Sequence, residues 1–392
     1  MYFCRRICTE KGVPHFPFKI MKPIQMVDLQ GQYAHIKEEI DVVVGKVLAE
    51  AHYINGPEVQ VFAEDLARYA GARHAVTCAN GTDALQLALM ALGLQPGDEV
   101  LTVPFTFVAT AEVIALLGLR PVFVDVRPDT FNMDVDQLEQ AITPRTKAIL
   151  PVHLFGQCAD MERILAVARQ HDLFVIEDAC QALGAEVTFS DGSVHQAGTM
   201  GDIGCTSFFP TKNLGCFGDG GALFTHDGTL AARIRSIANH GMSEKYYYDH
   251  VGINSRLDTL QAAVLRVKLR HLDQYIAARQ HAASLYDEAL ADCPGIITPA
   301  KASCSTHTYH QYTLRVAPEY RDTLRQKLAD VGIPTMVYYP CPLHLQKAYQ
   351  YLGYHEGDFP VSETLSKEVL SLPMHTELTP DQIQYITEQL RV

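Results

Sequence analysis

The sequence predicts an α/β protein: a large domain on a mainly parallel seven-stranded sheet between helices, followed by a smaller C-terminal α+β domain. Three observations predict it. Short apolar runs alternate with helical patterns from His74 to Gly241, the βαβα order that yields a parallel sheet covered by helices on both faces. Two amphipathic helical patterns precede them. One long helical stretch then leads into a different mixture of short strand, helix and Pro/Tyr-rich loop.

The opening patterns are IKEEIDVVVGKVLAE (36–50) and EVQVFAEDLARYAGA (58–72), the second closing at Gly71 as a helix C-terminus should. HAVTC (74–78), DEVLTV (98–103), PVFVDV (121–126), KAILPVHL (147–154) and LFVIED (173–178) read as buried strands. Helices are expected between them over TDALQLALMALG (82–93), ATAEVIALLG (109–118), DVDQLEQAI (134–142) and DMERILAVARQ (160–170). DIGCTSFF (202–209) and GALFTH (221–226) add two strands, and TLAARIRSIANHG (229–241) a helix. Residues 255–293 read as one long helix with room for a single break. We place the domain boundary inside it, giving a large domain over 21–265 and a small one over 266–392 with strand YHQYTLRV, helix RDTLRQKLADVG and a final helix.

A formal charge of −13 gives no support to a nucleic-acid or anionic-membrane binder, so anionic ligands need local donors. The ten cysteines form neither a CxxC pair nor a Cys/His cluster with zinc spacing, so no metal site is expected, and buried thiols in a cytoplasm are the natural reading. No run approaches the ~18 apolar residues of a membrane span. The head before Met21 lacks the apolar core of a signal peptide and reads as an upstream extension over residues 1–20.

Chemistry concentrates in four segments. SFFPTKNLGCFGDGGA (207–222) sets Lys212 among glycines and apolar residues, where its amine can form a Schiff base with a carbonyl. VIEDACQALGA (175–185) ends a central strand on Glu177 and Asp178; side chains alternate, so one of them faces the ligand edge of the sheet, and Asp178, last before the loop, is the choice. A carboxylate there, opposite a lysine, suits pyridoxal phosphate, because it keeps the pyridine nitrogen protonated. ANGTDALQLAL (79–89) opens a helix behind a strand, and Gly81 and Thr82 suit a phosphate, or else Asn80 or Thr82 caps its own helix. Ser207 can add a hydroxyl to the same phosphate. Phe107 can lie flat on an aromatic ring or belong to the core. Asn254 and Arg256 precede a long helix, and Arg256 either pairs with an anionic substrate or lies on a solvated face.

CANGTDALQ, VIEDACQALGA, TSFFPTKNLGCFGDGGA, VGINSRLDTLQAA and the late VYYPCPLHLQKAY, in this order, resemble the DegT/DnrJ/EryC1/StrS sugar aminotransferases from about Met26 to the C-terminus. The resemblance implies the pyridoxal phosphate-dependent transferase fold type I. It implies Lys212 as the Schiff-base residue, Asp178 at the pyridine nitrogen, Gln181 at the ring hydroxyl and Phe107 stacked on the ring. Gly81, Thr82 and Ser207 match its phosphate positions, and Asn254 the residue offered across the interface of a homodimer with shared sites. Glutamate as donor, with 2-oxoglutarate leaving, and a nucleotide-linked keto sugar as acceptor are also implied, with Arg256, Tyr338, Tyr339 and His344 toward the sugar and diphosphate. The likeness is greatest to enzymes that aminate C3 of UDP-2-acetamido-2-deoxy-3-keto-glucuronate for bacterial O-antigen. Tyr338 departs from the histidine expected there, which keeps a dTDP-linked 3-keto-6-deoxy or 4-keto-6-deoxy sugar as the alternative. A non-catalytic binding or regulatory protein of the same fold is the competing class.

Overall fold

The computed structural model describes residues 22–391, so the extension expected over 1–20 lies outside the described residues. Helix α1 (Leu29–Glu50) is entered through Asp28, whose Oδ1 accepts from Gly31 N at 2.7 Å, satisfying one of the N–H groups a helix start cannot satisfy itself. It begins before Ile36, where the periodicity first becomes legible. Helix α2 (Pro57–Ala70) starts on proline and stops at Gly71, left-handed with φ 70°.

The alternating region runs β1 (His74–Cys78), α3 (Gly81–Leu92), β2 (Glu99–Thr102), α4 (Ala109–Leu116), β3 (Arg120–Phe123), β4 (Thr146–Ile149), α5 (Met161–His171) and β5 (Phe174–Asp178). A hairpin of β6 (Glu186–Thr188) and β7 (Val194–Gln196), unforeseen in the sequence, precedes β8 (Ile203–Ser207), β9 (Gly221–Thr225) and α6 (Gly228–Ala238). The sheet order is β1-β9-β8-β5-β4-β2-β3. Only β9 runs against its neighbours; the other pairings are parallel. Apolar cores fill both faces, one with Leu85, Leu89, Ile114 and Ile234, the other with Phe131, Leu138, Met161 and Ile164.

Two expectations need correction. DVDQLEQAI is not an α-helix but two 3₁₀ turns, Val135–Gln137 and Glu139–Ala141. Its buried apolar residues, Val135 and Leu138, are three apart, a spacing that three residues per turn places on one line. KAILPVHL runs as strand only to Ile149; Pro151 has no N–H to give to the ladder, and the segment meets β5 again at a bridge between Val152 and Asp178.

After a second short hairpin, β10 (Met242–Glu244) and β11 (Tyr247–Tyr248), the long helical stretch is α7 (Thr259–Leu269) and α8 (Leu272–Leu290). The break falls at Arg270 and His271, both held by Glu39 of α1 at 2.7 and 2.9 Å. β12 (Ile296–Ile297), β13 (Tyr312–Val316) and β14 (Val369–Leu372) form an antiparallel sheet covered by α9 (Pro318–Asp330), α10 (Pro360–Glu368) and α11 (Pro380–Leu390). Its core joins Tyr286 of α8 to Tyr312, Leu328, Leu372 and Ile386, and Ile24 near the chain start packs into it. The sequence showed α10 and β14 only as loop. Among the described residues no helix is long and apolar enough to cross a membrane.

One carboxylate ties the small sheet's surroundings to the large one. Asp125, 2% exposed just beyond β3, accepts from Val361 N (2.9 Å), Ser362 N (3.0 Å) and Ser362 Oγ (2.6 Å). These are first-turn donors of α10, whose own N-cap, Phe359, has no side-chain acceptor. Asp125→Ala orphans them in a buried place, and a loss of about 2–4 kcal/mol is expected in denaturant titration. Unchanged stability would mean that the helix start finds other partners.

Candidate active site

At the C-terminal ends of the central strands lies a cavity of about 790 Å³. It is lined by Gly81, Thr82, Phe107, Asp178, Gln181, Ser207, Lys212, Tyr338 and Tyr339, so nine of the residues singled out in the sequence meet there. His310 and Gln311 also line it, and the sequence offered no signal for either.

β5 presents Asp178 to the cavity and Glu177 to the other face. Asp178 Oδ2 accepts from Thr110 Oγ1 at 2.8 Å and Oδ1 from Cys180 N at 3.2 Å, so the carboxylate is aimed from two sides. Glu177, fully buried, accepts from His153 Nε2, Gly198 N, Met200 N and Gly201 N at 2.6–2.9 Å.

Lys212 sits in the turn between β8 and β9, its backbone N–H donating to Phe209 O at 2.8 Å. Burial pulls its amine below the ordinary lysine range, while Cys180 and Asp178 pull the other way. The neutral, nucleophilic form gains from that burial. Its neighbour Asn213 donates to Thr308 O at 3.2 Å, joining the lysine turn to the segment that carries His310.

The α3 N-terminus faces Ser207 at close range. A Cβ on Gly81 would lie 2.7 Å from Ser207 Cβ and 3.0 Å from Cys180 Sγ, so only glycine leaves the concavity open. Asn80 caps the helix, accepting from Asp83 N at 2.8 Å, which leaves the Thr82 hydroxyl available. Gln181 is held by Phe155 N (2.7 Å, to its Oε1) and donates to Tyr339 OH at 3.2 Å. Burial raises the Tyr339 phenol, which stays protonated. Phe107 is 54% exposed on the cavity wall, its ring 6.4 Å from that of Tyr339. It is not a core residue.

Three expected residues are elsewhere. His344 is 1% exposed, bonded to Glu363 Oε1 at 3.0 Å, and is not among the residues that line the cavity. Arg256 lines a separate cavity of about 610 Å³ with Asn55, His74, Arg235 and Asn239. Asn254 is exposed beside it, bridged to Asn239.

The sequence model of the DegT/DnrJ/EryC1/StrS aminotransferase family matches residues 34–391. The chain belongs to this family. It is an aminotransferase, and its cofactor is pyridoxal phosphate. A protein of Geobacillus stearothermophilus named pleiotropic regulatory protein is 48% identical over 94% of this chain and 97% of its own length. The UDP-2-acetamido-2-deoxy-3-oxo-D-glucuronate aminotransferase of Pseudomonas aeruginosa is 47% identical over 94% and 99%. The dTDP-3-amino-3,4,6-trideoxy-alpha-D-glucose transaminase of Streptomyces venezuelae is 40% identical over 94% and 95%. Among solved structures, NtdA of Bacillus subtilis with bound cofactor PMP superposes with a TM-score of 0.86 at 32% identity, covering 94% of this chain and 85% of that one.

The aminotransferase's cavity fits its cofactor on its own evidence. The Gly81 concavity has the shape for a phosphate at a helix start, where free N–H groups and the helix dipole favour an anion. A lysine eased toward neutrality and an aimed carboxylate stand in the same space.

Beneath the lysine turn, Lys268 of α7 is buried, donates to Gly215 O at 2.5 Å and lies 5.5 Å over the Phe217 ring. Burial pulls its amine down to about 8 from 10.5. Below pH 8 both folded and unfolded chains carry that proton. Between pH 8 and 10.5 only the unfolded chain binds it, so this residue makes stability rise with pH there, by up to about 3 kcal/mol. Denaturant titrations across that window should show a smaller rise for Lys268→Met than for the parent; parallel curves would contradict a depressed amine.

Proposed function

We propose that the protein moves the amino group of L-glutamate to the C3 keto group of a nucleotide-linked sugar, with 2-oxoglutarate as co-product, for bacterial surface polysaccharide synthesis. What carries this reading is one juxtaposition: Lys212, Asp178 and the Gly81–Ser207 concavity open on a single cavity. The cofactor supplies an aldehyde that condenses with amines and a cationic ring that takes up electron density.

In this reading the Lys212 nitrogen is the covalent attachment point. Its free amine would take a proton from the donor's α-carbon and return one to the sugar carbon. Asp178, held by Thr110, keeps a proton on the ring nitrogen. Gly81, Thr82 and Ser207 would hold the phosphate, Gln181 would serve the ring hydroxyl and Phe107 the ring. Tyr338 and Tyr339 face the sugar. Asn254 and Arg256, outside this cavity in their own chain, serve the cavity of a second copy in a homodimer, the asparagine at the phosphate and the arginine at the diphosphate.

A UDP-linked 2-acetamido-3-keto-glucuronate is the acceptor favoured by the relative from Pseudomonas aeruginosa. A dTDP-linked deoxy sugar is the second reading, favoured by the transaminase of Streptomyces venezuelae. The experiment that tests both is the half reaction. Glutamate should bleach the visible absorbance of the loaded enzyme, and one member of a panel of UDP- and dTDP-linked amino sugars should restore it. Binding of the cofactor without bleaching by any amino donor would leave a regulatory protein instead.

Lys212→Ala is expected to abolish turnover with the fold intact by circular dichroism, since it removes a nucleophile and no core contact. For Asp178→Asn, the glutamate half reaction should slow roughly 100-fold or more. Near-normal rates for Asp178→Asn would assign the ring nitrogen to another group.

A further inference from the structure

His310 is only 6% exposed, and its Nδ1 is fully buried with no hydrogen-bond partner among the described residues. A buried polar atom left without a partner costs free energy, so such a group in a native wall calls for a ligand. The residue lines the same cavity as Lys212 and Tyr338. Its placement is held on every side. Arg279 of α8 donates to the carbonyls of Tyr309, His310 and Met374 at 3.0–3.4 Å. Thr308 N donates to Gly156 O at 2.8 Å, Asn213 to Thr308 O at 3.2 Å, and the His307 and Tyr309 rings stack at 3.9 Å. A backbone fastened this firmly presents one unsatisfied side chain.

We propose that His310 hydrogen-bonds a hydroxyl of the acceptor sugar and so serves the sugar half of the reaction and not the glutamate half. The inference rests on the aminotransferase reading above. Burial, with Lys212 and Arg279 as neighbouring cations, holds the imidazole well below the ordinary histidine range. A neutral imidazole offers one donor and one acceptor. The ring nitrogen toward the cavity can meet a hydroxyl in either tautomer, because a hydroxyl both gives and takes a hydrogen bond. Glutamate's carboxylates, which only accept, suit just the tautomer whose N–H faces the cavity. A site built around a substrate hydroxyl discriminates strongly, because its own polar group is stranded when the hydroxyl is missing.

The test separates the two halves. Holoenzyme and the His310→Phe and His310→Gln variants are loaded with pyridoxal phosphate and mixed, in the aldehyde form, either with glutamate or with an amino sugar nucleotide. The probes for the sugar half are UDP-2-acetamido-3-amino-2,3-dideoxyglucuronate and dTDP-3-amino-3,4,6-trideoxyglucose, run as amino donors to the aldehyde form. Affinity of the same two compounds for borohydride-reduced enzyme, which cannot turn over, gives a readout without catalysis. In His310→Phe, kcat/KM for the reacting amino sugar should fall roughly 10- to 100-fold and its affinity for the reduced enzyme should weaken, while the glutamate half stays within about twofold. His310→Gln, which keeps a donor and an acceptor, should recover part of the loss. Equal losses in both halves, or no loss in the sugar half, would overturn the proposal while leaving the aminotransferase reading intact. A parent enzyme that glutamate fails to bleach would sink that reading and the proposal with it.

Discussion

Two successive carboxylates at the end of β5 cannot share a face of the sheet, and the site depends on that alternation. Glu177 turns inward and spends both oxygens on four donors: His153 Nε2 and the N–H groups of Gly198, Met200 and Gly201. Because Ala159 N donates to His153 Nδ1 at 3.2 Å, the proton of that imidazole sits on Nε2, facing Glu177. His153 N in turn donates to Asp178 O at 3.0 Å. The strand end is thereby fastened to the loop after β4 and to the turn before β8, the strand that ends on Ser207. Asp178 is left free to point into the cavity, where Thr110 and Cys180 N aim it. One carboxylate does the holding so that its neighbour can do chemistry.

Much of this was legible in the residues, for physical reasons that can be named. Strands buried on both faces write themselves as apolar runs, so β1 was read to the residue and β5 and β8 nearly so. The local pattern leaves room for a break between α7 and α8, but what fixes its position, Glu39 reaching from α1, is a tertiary contact invisible in that pattern. α10 and β14 were missed because the helix starts only where Asp125, far away in sequence, supplies its cap. DVDQLEQAI misled because spacing by three is compatible with both kinds of helix until burial is known.

The site was legible where a residue type is rare for its setting: a lysine among glycines, acids closing an apolar strand. It was not legible where an ordinary residue acquires its role from packing. Thr110 gives no hint of its bond to Asp178, and His310 becomes notable only once it is seen to be buried and unsatisfied. His344 is a different case. A histidine inside a recognisable motif turned out to bond Glu363, whose carboxylate also accepts from Gly357 N, and that pair organises the Pro/Tyr-rich loop instead of touching the cavity.

Two cations of this acidic chain are hidden behind segments that line its site. Lys268 and Arg279 are both buried, and their hydrogen bonds go to backbone carbonyls: Gly215 O for the lysine, Tyr309, His310 and Met374 O for the arginine. Carbonyl dipoles satisfy donors without cancelling charge. The burial of such groups costs several kcal/mol each unless an opposite charge lies within reach. Arg279 lowers the proton affinity of Lys268, His310 and His375, so its field extends to the segment lining the cavity. A carboxylate partner would have quenched that field.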